Sequence, residues 1–339
     1  MLMTQLQNKG ICAREATNLF AAFDPAQQIA TLSPEYLLID SQRNAGLEPV
    51  FWTYCEGQAI FFHGFHMASI PETEYRDVQS PYSYGGPLCN ADNPGFLQRA
   101  WDSYKSWCQE NSVVAEFIRF HPVLGNWILY GGEAVTDRMT VWIDLKAADL
   151  LATYETRVRT AVRKAVKNGL QVEWQTGAEN ARCFAKLYSD AMRRISAAPF
   201  YFFPEHYFRS LLQWGKARLA VCRRDGEILA AAIFLFGPQV AEYHLSAANA
   251  LGRQLGALNL ILHEAGQFAR EMGCRILYLG GGTDSRPENP LFFFKAGFSG
   301  KRAEFRIAKH IHCPASYAVL QQRFAAAYQA QPNRVLFYR

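Results

Sequence analysis

Short runs of alternating apolar and polar residues are spread along this chain, and longer segments between them repeat apolar residues three and four positions apart. The first pattern predicts strands and the second predicts amphipathic helices. Together they indicate a mixed α/β protein. In the first half, the predicted elements are a helix at 33–45, strands at 49–54 and 58–65, a loop at 80–87, a helix at 94–111 and a strand at 112–118.

A tight-turn signal lies in the second half, where Arg224-Asp225-Gly226-Glu227 separates two strongly apolar runs. Asp-Gly between such runs is typical of a β-hairpin, so we expect consecutive strands around it. The predicted elements of this half are strands at 139–145, 170–174, 217–224, 227–236, 239–247, 275–279 and 298–308, and helices at 147–168, 178–196, 204–214, 255–272 and 287–296.

The chain has 339 residues, which exceeds one ordinary core and suits two domains. We predict an N-terminal domain at 1–138 and a C-terminal domain at 139–313. A last helix at 314–329 is expected to fold back, so that the segment 314–339 joins the first domain.

Composition and charge narrow the class of protein. The formal charge of +5 is compatible with an anionic substrate but is weaker than that of a dedicated nucleic-acid binder. The eight cysteines form no C-x-x-C pair, so neither a zinc ribbon nor a disulfide framework is predicted. No apolar run approaches the roughly 20 residues that span a bilayer, and the start has no signal-peptide pattern. We therefore expect a cytoplasmic protein without a transmembrane segment.

Three motifs follow one another along both halves. They are Ser80-Pro81-Tyr82-Ser83-Tyr84-Gly85-Gly86-Pro87, then Glu116-Phe117-x-Arg119-Phe120-His121-Pro122, then Leu279-Gly280-Gly281-Gly282-Thr283 with Asn289-Pro290-Leu291-Phe292-Phe293-Phe294-Lys295-Ala296-Gly297-Phe298. Together they resemble the FemAB family of peptidyl and aminoacyl transferases, in particular its relatives in polysaccharide gene clusters. The β-α-α-β-β-β-α-β-α-β order of the second half resembles a GNAT acyltransferase domain.

The resemblance implies two tandem GNAT-like domains and an N-acyltransferase that forms an amide between an activated acyl donor and an amine. By analogy, the acceptor is an amino sugar or a peptide amine on a nucleotide or lipid carrier, in cell-envelope or polysaccharide biosynthesis. A peripheral contact with a membrane is compatible with such an acceptor. The donor, acyl-CoA or aminoacyl-tRNA, is a co-substrate, and neither a tightly bound cofactor nor a metal is expected.

The third motif supplies the main catalytic candidate. The resemblance makes Lys295 the stabiliser of the tetrahedral intermediate, and the aromatic run before it would strengthen its field by excluding water. Exposed amides of Gly280, Gly281 and Gly282 are assigned to the donor carbonyl or phosphate. The ordinary alternatives are a surface lysine and a tight turn without a ligand.

Substrate-binding candidates come from the first two motifs and from a basic helix. Tyr82, Tyr84 and Gly85 offer amphipathic rings and close backbone approach to a ligand, unless the tyrosines only pack in a surface turn. Arg119 is assigned with them. Arg159 and Arg163 share one helix face with Lys167 and are candidates for a diphosphate, although such rows are mostly solvated faces.

Further candidates lie in the apolar strands around the hairpin. Alternation on the strand at 239–247 sets Tyr243 opposite His244 and Ser246, and one of these faces should reach the cleft. His244 is a candidate proton acceptor for the amine, or else a structural histidine. Arg193 and Tyr201 are additional candidates for binding the acceptor.

The donor remains open from the sequence. Arg253-Gln254-Leu255-Gly256-Ala257-Leu258 matches the pyrophosphate loop of CoA-dependent GNAT enzymes at Arg253 and Gly256, but has Leu258 where Gly or Ala is expected. The modest net charge favours CoA, and the altered loop favours aminoacyl-tRNA.

Two other classes of function compete with this interpretation. One is a non-catalytic GNAT-fold module that binds a ligand. The other is a metal enzyme using His63-x-x-His66 or His310-x-His312-Cys313, which we disfavour because these pairs fall on predicted strands without carboxylate partners in the sequence.

Overall fold

The computed structural model describes residues 7–339 of the chain. They form two compact units. The first unit contains the described residues up to Gln27, together with Thr31–Asp137 and Phe305–Arg339, and the second contains Gln28–Ala30 and Arg138–Glu304.

Strands and helices alternate through both units. The strands are β1 (Gln7–Gly10), β2 (Glu48–Glu56), β3 (Ala59–Ser69), β4 (Arg76–Gln79), β5 (Leu88–Cys89), β6 (Val113–Arg119), β7 (Ala134–Asp144), β8 (Gln171–Gln175), β9 (Ala217–Arg224), β10 (Glu227–Phe236), β11 (Val240–Ala248), β12 (Ile276–Gly281) and β13 (Arg302–Ile311). The helices are α1 (Ala13–Ala21), α2 (Pro34–Ser41), α3 (Pro94–Glu110), α4 (Leu150–Thr153), α5 (Thr156–Lys167), α6 (Ala181–Arg194), α7 (Glu205–Gln213), α8 (Ala250–Leu255), α9 (Ala257–Glu271), α10 (Pro290–Ala296), α11 (Pro314–Arg323) and α12 (Ala325–Ala330).

The first unit is built on a mixed sheet with the strand order β1-β2-β3-β4-β6-β13, and β5 pairs with β3. The pair β4/β6 is parallel, whereas β3/β4 and β6/β13 are antiparallel. Helix α3 buries Phe96, Ala100 and Tyr104 in an aromatic core against this sheet. Its N-terminus is set by Asn93, whose side chain accepts the Phe96 amide N–H ahead of Pro94 at the first helical position.

The second unit has the strand order β7-β12-β11-β10-β9-β8, in which only β11 and β12 run parallel to each other among the pairs formed. Helices α5 and α9 pack together on its core, and α6 packs with α7. The α/β class predicted from the sequence is confirmed.

Several predicted boundaries were wrong for local reasons. The helix predicted at 147–168 is broken into α4 and α5, because Tyr154 is extended and buries its ring against Phe298 at 5.1 Å between centroids. The helix predicted at 255–272 is preceded by a separate helix, α8, because Gly256 is left-handed at φ +78° and ends it. The helix predicted at 314–329 is broken at Phe324, between α11 and α12.

Other elements were missed or displaced. The patterns gave no prediction for β1, α1 or β4, which are short. The last strand was predicted at 298–308 and lies at Arg302–Ile311 instead. Within the described part of the chain, no helix combines the length and apolar character required to cross a membrane.

Candidate active site

The second unit contains a gap between two neighbouring parallel strands. β11 and β12 pair from Val240↔Ile276 to Glu242↔Tyr278, and no later pair joins them although β11 runs on to Ala248 and β12 to Gly281. Their facing edges beyond Glu242 are therefore available to a ligand. We call this region the β11/β12 opening.

A bulge on each strand marks the start of the β11/β12 opening. The register of β10 with β11 shifts between Ile233 and Phe234, which leaves His244 as the extra residue. The register of β12 with β7 shifts between Tyr278 and Gly280. Because a bulge re-aims side chains, simple alternation does not describe the strand here. The predicted placement of Tyr243 opposite Ser246 was wrong, since their hydroxyl groups bond to each other.

Lys295 lies at the β11/β12 opening. It is buried in the last turn of α10, and its Nζ donates to the Gly281 carbonyl oxygen at 2.9 Å and lies 5.7 Å from the centre of the Tyr243 ring. Burial lowers the pKa of this amine to about 7. The side chain can therefore change its charge near neutral pH.

Asn289 fixes the helix that carries this lysine. Its Oδ1 accepts the backbone N–H groups of Leu291 and Phe292, and its Nδ2 donates to Thr283 Oγ1 at 2.8 Å. A Cβ on Gly282 would lie 2.5 Å from Asn289 Oδ1, so glycine is needed for packing at this point of the turn. The Asn-Pro pair is an N-cap signal that sequence reasoning had available but did not use.

The turn at Gly280 to Gly282 is also fixed by hydrogen bonds to its carbonyl groups. Gly280 is left-handed at φ +79°, and the Gly282 carbonyl accepts from Arg138 Nη1 at 2.9 Å. With the Gly281 carbonyl taken by Lys295, the turn presents a fixed backbone at the edge of β12.

His244 has a buried phenol as its neighbour. Tyr207 OH and His244 Nε2 are 3.0 Å apart, and Tyr207, on α7, is fully buried. Burial raises the pKa of Tyr243 to about 12, so its hydroxyl stays neutral and can donate or accept. Tyr207 was missed from the sequence because 37 residues separate it from the histidine.

The predicted donor loop connects α8 to α9. A Cβ on Gly256 would lie 3.1 Å from the Ala161 carbonyl oxygen, which explains glycine there. Leu258, which departs from the CoA-loop pattern, is half-buried and packs on the core of the unit. Arg253 Nη1 donates to the Ala248 carbonyl oxygen at 3.2 Å.

The cations on the basic helix differ in exposure and in hydrogen bonding. Arg159 donates to the Tyr154 carbonyl and to Thr156 Oγ1, so it ties down the first turn of its own helix. Arg163 and Lys167 are exposed on α5. Lys164, adjacent to the row, donates to the Gln254 carbonyl at 3.0 Å and so contacts the predicted donor loop.

The two predicted acceptor residues around α6 lie on the surface. Arg193 is exposed and pairs with Asp190 at 3.0 Å. Tyr201 is exposed beside Phe200, with ring centroids 5.3 Å apart.

The tyrosine loop at 80–87 belongs to the first unit, and buried side chains form hydrogen bonds with its backbone. The buried Asp40 accepts the Tyr82 backbone N–H at 2.9 Å, and Asn126 Nδ2 donates to the carbonyl groups of Gly85 and Pro87 at 3.0 Å each. Arg119 Nη2 donates to the Ser80 and Pro81 carbonyls at 3.0 and 2.7 Å. Arg119 therefore shapes the loop.

Tyr84 is fixed by aromatic neighbours within the same unit. Its ring meets the edge of His121 at 5.2 Å and of Phe305 at 5.6 Å between centroids. The loop is thus more ordered than a solvated surface turn.

The histidine pairs considered for a metal have carboxylate neighbours after all. His66 Nε2 lies 3.0 Å from Asp40, and His312 Nε2 lies 3.4 Å from Glu116. The premise that these pairs lack carboxylates was wrong, because the carboxylates come from distant segments. No group of three or more metal-ligating side chains occurs among residues 7–339.

Comparison with protein families gives one match. Residues 153–288 match the family described as Acetyltransferase (GNAT) domain. A search of curated proteins finds no match to this sequence. The matched range contains the β11/β12 opening and the donor loop, so the similarity to this family covers the part of the chain in which both lie.

Comparison with solved structures covers nearly the whole chain. FemX matches with a TM-score of 0.72 and 16% identity over 93% of this chain and 100% of its own. The C-terminal domain of a putative lysylphosphatidylglycerol synthetase from Agrobacterium fabrum matches with a TM-score of 0.58 and 17% identity, covering 93% of this chain and 96% of its own. A tandem GNAT protein from the clavulanic acid biosynthesis pathway matches with a TM-score of 0.52 and 13% identity, over 90% and 98%.

These similarities confirm a FemAB-like fold with tandem GNAT architecture. With the family match, they support a GNAT-fold acyltransferase.

Proposed function

We propose that the chain is a cytoplasmic N-acyltransferase that joins an activated acyl group to an amine of a sugar or peptide acceptor in cell-envelope or polysaccharide biosynthesis. The observation that carries this proposal is the β11/β12 opening with the buried Lys295 at its edge. A gap between parallel strands offers backbone groups to an extended donor. A buried cation beside it offers stabilisation to an oxyanion.

The reaction can be written on these residues. The neutral acceptor amine attacks the donor carbonyl carbon, a C–N bond forms, and the carbonyl oxygen becomes an oxyanion that ammonium Lys295 stabilises. His244, held by Tyr207, accepts the proton that the new ammonium group loses. The C–S or C–O bond to the carrier then breaks, and the hydroxyl of Tyr243, bonded to Ser246, donates a hydrogen bond to the departing atom.

The other candidates keep their assignments as parts of this proposal. Arg253, Gly256 and the turn at Gly280 to Gly282 serve the donor. Tyr82, Tyr84 and Gly85 serve the acceptor, with Arg119 acting on it through the loop that it holds. Arg163, Arg193 and Tyr201 are exposed and remain candidates for a carrier phosphate or sugar, whereas Arg159 is already engaged by its own helix.

The two donors receive support from different relatives. The name of the lysylphosphatidylglycerol synthetase indicates an aminoacyl group, and the clavulanic acid tandem GNAT protein is described in a form without AcCoA. We propose both acyl-CoA and aminoacyl-tRNA as possible donors, because in each of them the reacting carbonyl group is attached to a carrier that contains phosphate.

The test is a transfer assay with matched lysine variants. The protein is incubated with acetyl-CoA, or with charged tRNA, and with UDP-linked amino sugars or a peptide amine, and the products are analysed by mass spectrometry. We expect amide product with one donor and at least a 100-fold loss of turnover in Lys295→Met at saturating substrate. Lys301→Met, which removes an exposed lysine of the same unit, should keep full turnover.

Two outcomes would count against the proposal. Full turnover by Lys295→Met would remove the lysine from the chemistry. Donor binding without product from any acceptor would favour the non-catalytic ligand-binding module instead.

A further inference from the structure

Exposed apolar side chains are concentrated in one segment of the second unit, the connection between α6 and α7. Within eight residues, Ile195, Phe200, Tyr201 and Phe202 are between 37 and 64% exposed. No other eight-residue stretch of the described chain holds more than two exposed large apolar side chains. Scattered single residues of this kind are ordinary, whereas a concentrated group marks a surface that binds a partner or a lipid. We call residues 193–202 the aromatic loop.

Backbone hydrogen bonds hold the aromatic loop in a defined shape. After α6 the chain reverses at Ser196, which is left-handed at φ +51°, and the Ala197 N–H donates back to the Met192 carbonyl oxygen at 3.0 Å. Two turn bonds from the N–H groups of Tyr201 and Phe202, at 3.0 Å each, close the tip of the loop. The exposed rings therefore belong to a folded segment, so binding through them costs little ordering entropy.

The next aromatic ring along the chain anchors the loop to the helices on either side. Phe203 is half-buried, and its ring stacks on Tyr207 of α7 at 5.1 Å and lies 5.9 Å from the Tyr188 ring of α6. This packing turns one ring of the aromatic run inward while the three rings before it stay exposed. Since Tyr207 also contacts His244, packed rings connect the aromatic loop to the β11/β12 opening.

Cations lie at the start of the aromatic loop. Arg193 and Arg194 begin it, and residues 191–204 include no aspartate or glutamate. Arg194 donates to the Ala248 carbonyl oxygen at 3.0 Å, and this bond ties the start of the loop to the end of β11. The apolar tip and the two guanidinium groups are thus parts of one ordered surface.

The exposed face of α6 extends this positive charge. Arg182, Lys186 and Arg193 recur four and seven residues apart, so they share one face of the helix, where all three are exposed. Asp190 pairs with Arg193 at 3.0 Å, but such an exposed pair is weak and is easily exchanged for another anion. The surface next to the apolar tip is therefore positive.

We propose that the aromatic loop binds the surface of an anionic lipid membrane, with Phe200 and Phe202 among the lipids and Arg193 at their phosphate groups. Apolar rings beside cations are the composition of segments that lie in a membrane interface. A second copy of this chain is a poorer partner, because symmetric contact of two such loops would bring their arginines together.

The inference goes beyond the proposed function, because lipid binding does not require acyl transfer. Where it rests on that function, it has one consequence for the substrate. The aromatic loop leads through α7 to Tyr207 and the β11/β12 opening, so a loop docked on a membrane favours an acceptor amine on a lipid carrier over one on a nucleotide.

Co-sedimentation with lipid vesicles tests the proposal. The protein is mixed with vesicles of phosphatidylcholine alone or of phosphatidylcholine with phosphatidylglycerol, and the bound fraction is measured. We expect binding to the mixed vesicles that weakens at high salt, and little binding to phosphatidylcholine alone. Joint substitution Phe200→Ser and Phe202→Ser should weaken binding at least tenfold, and Arg193→Gln about fivefold, the effect of one cation near such a surface.

Matched control substitutions lie in the turn between α9 and β12 of the same unit. Met272→Ser removes an exposed apolar side chain and Arg275→Gln removes an exposed cation, and neither should change vesicle binding. Phe200→Trp gives a direct readout that does not depend on loss of binding. Brominated lipid in the mixed vesicles should quench the fluorescence of this variant more strongly than that of the wild type.

Three results would overturn the proposal. They are absence of binding to the mixed vesicles, equal binding by the wild type and the double serine variant, and no additional quenching in Phe200→Trp. If the wild type is instead a dimer that the two serine substitutions dissociate without lipid, and it does not bind vesicles, the aromatic loop is an interface between copies.

Failure of the inference and failure of the proposed function are distinguishable. Vesicle binding that requires the aromatic loop, together with no acyl transfer to any acceptor, would support the lipid surface and refute the proposed function. Acyl transfer to a soluble peptide amine by a protein that does not bind vesicles would support the function and refute the lipid surface.

Discussion

Buried charges are handled differently in the two units. In the first unit, Glu116 receives hydrogen bonds from Tyr104 and Tyr130 and lies beside His312. Burial alone would raise its pKa, yet interactions with His312, His63 and Tyr130 lower the pKa to about 2. In the second unit, Lys295 is also buried but its amine has a single carbonyl partner, and burial lowers its pKa to about 7.

This difference in partners distinguishes Glu116, whose charge stabilises the fold, from Lys295, whose charge is available to a reaction. A buried ion whose partners offset its desolvation supports the fold, whereas one with few partners destabilises its own charged form. The oxyanion of a reaction intermediate would supply the partner that Lys295 lacks. Asp40 follows the pattern of the first unit, because hydrogen bonds from His66 and Arg43 lower its pKa against the effect of burial.

The largest expected effect is in the first unit. Glu116→Ala removes the acceptor shared by two buried tyrosines and leaves His312 without its carboxylate neighbour, so we expect a loss of about 3–5 kcal/mol of unfolding free energy. Hydrogen exchange of the β6 amides measures it. Glu133→Ala, which changes an exposed glutamate, is the control. A loss of unfolding free energy below about 1 kcal/mol in Glu116→Ala would contradict the view that the buried charge of Glu116 stabilises the first unit.

The second effect is the pH dependence of turnover. If ammonium Lys295 stabilises the oxyanion, the ratio of wild-type to Lys295→Met turnover is high below its pKa of about 7 and falls up to tenfold per pH unit above it. The ratio cancels the ionisation of the acceptor amine. A ratio that rises with pH would mean that the neutral amine acts as a base.

The third effect is on stability and has the opposite sign to that for Glu116. The pKa of Lys295 lies below the ordinary lysine pKa of 10.5, so the free-energy cost of burying its charge is full below pH 7 and disappears above about pH 10.5. Lys295→Met should therefore raise the unfolding free energy at pH 7 by about 1–2 kcal/mol after loss of its hydrogen bond. Chemical denaturation at pH 7 and pH 10 checks this, and an equal gain at both values would argue against a titrating lysine.

The smallest expected effect is on the turnover of a variant at Tyr207, the neighbour of His244. Tyr207→Phe leaves the ring in place but removes the hydroxyl 3.0 Å from His244, so we expect turnover to fall about fivefold, about 1 kcal/mol, with little change in donor affinity. Steady-state kinetics separate these two quantities. A rise in the donor KM without a fall in kcat would assign the tyrosine to binding.

Local patterns were enough to predict much of the fold. The strands at 217–224 and 227–236 were predicted at the bounds found for β9 and β10, because both are strongly apolar and a two-residue Asp-Gly turn joins them. The Gly-rich turn and Lys295 came from a motif in which most of the interacting residues are close in sequence.

The rest depends on contacts between distant segments. The bulge at His244 exists only in the pairing of β10 with β11, so alternation along one strand could not reveal it. The break at Tyr154 follows from burial of its ring against Phe298, far along the chain. The same holds for Arg194 and Arg253. Both donate to the Ala248 carbonyl oxygen, because α6 ends beside the last residue of β11.

Hydrogen exchange with and without the donor carrier tests most directly whether the β11/β12 opening is the site of acyl transfer. Amides at 243–249 and 279–283 should exchange more slowly when saturating desulfo-CoA, or uncharged tRNA in a parallel experiment, is present. Slowing in these two segments with one of the ligands is the predicted result. Unchanged exchange there with both ligands, or slowing confined to other segments, would contradict the placement of the site.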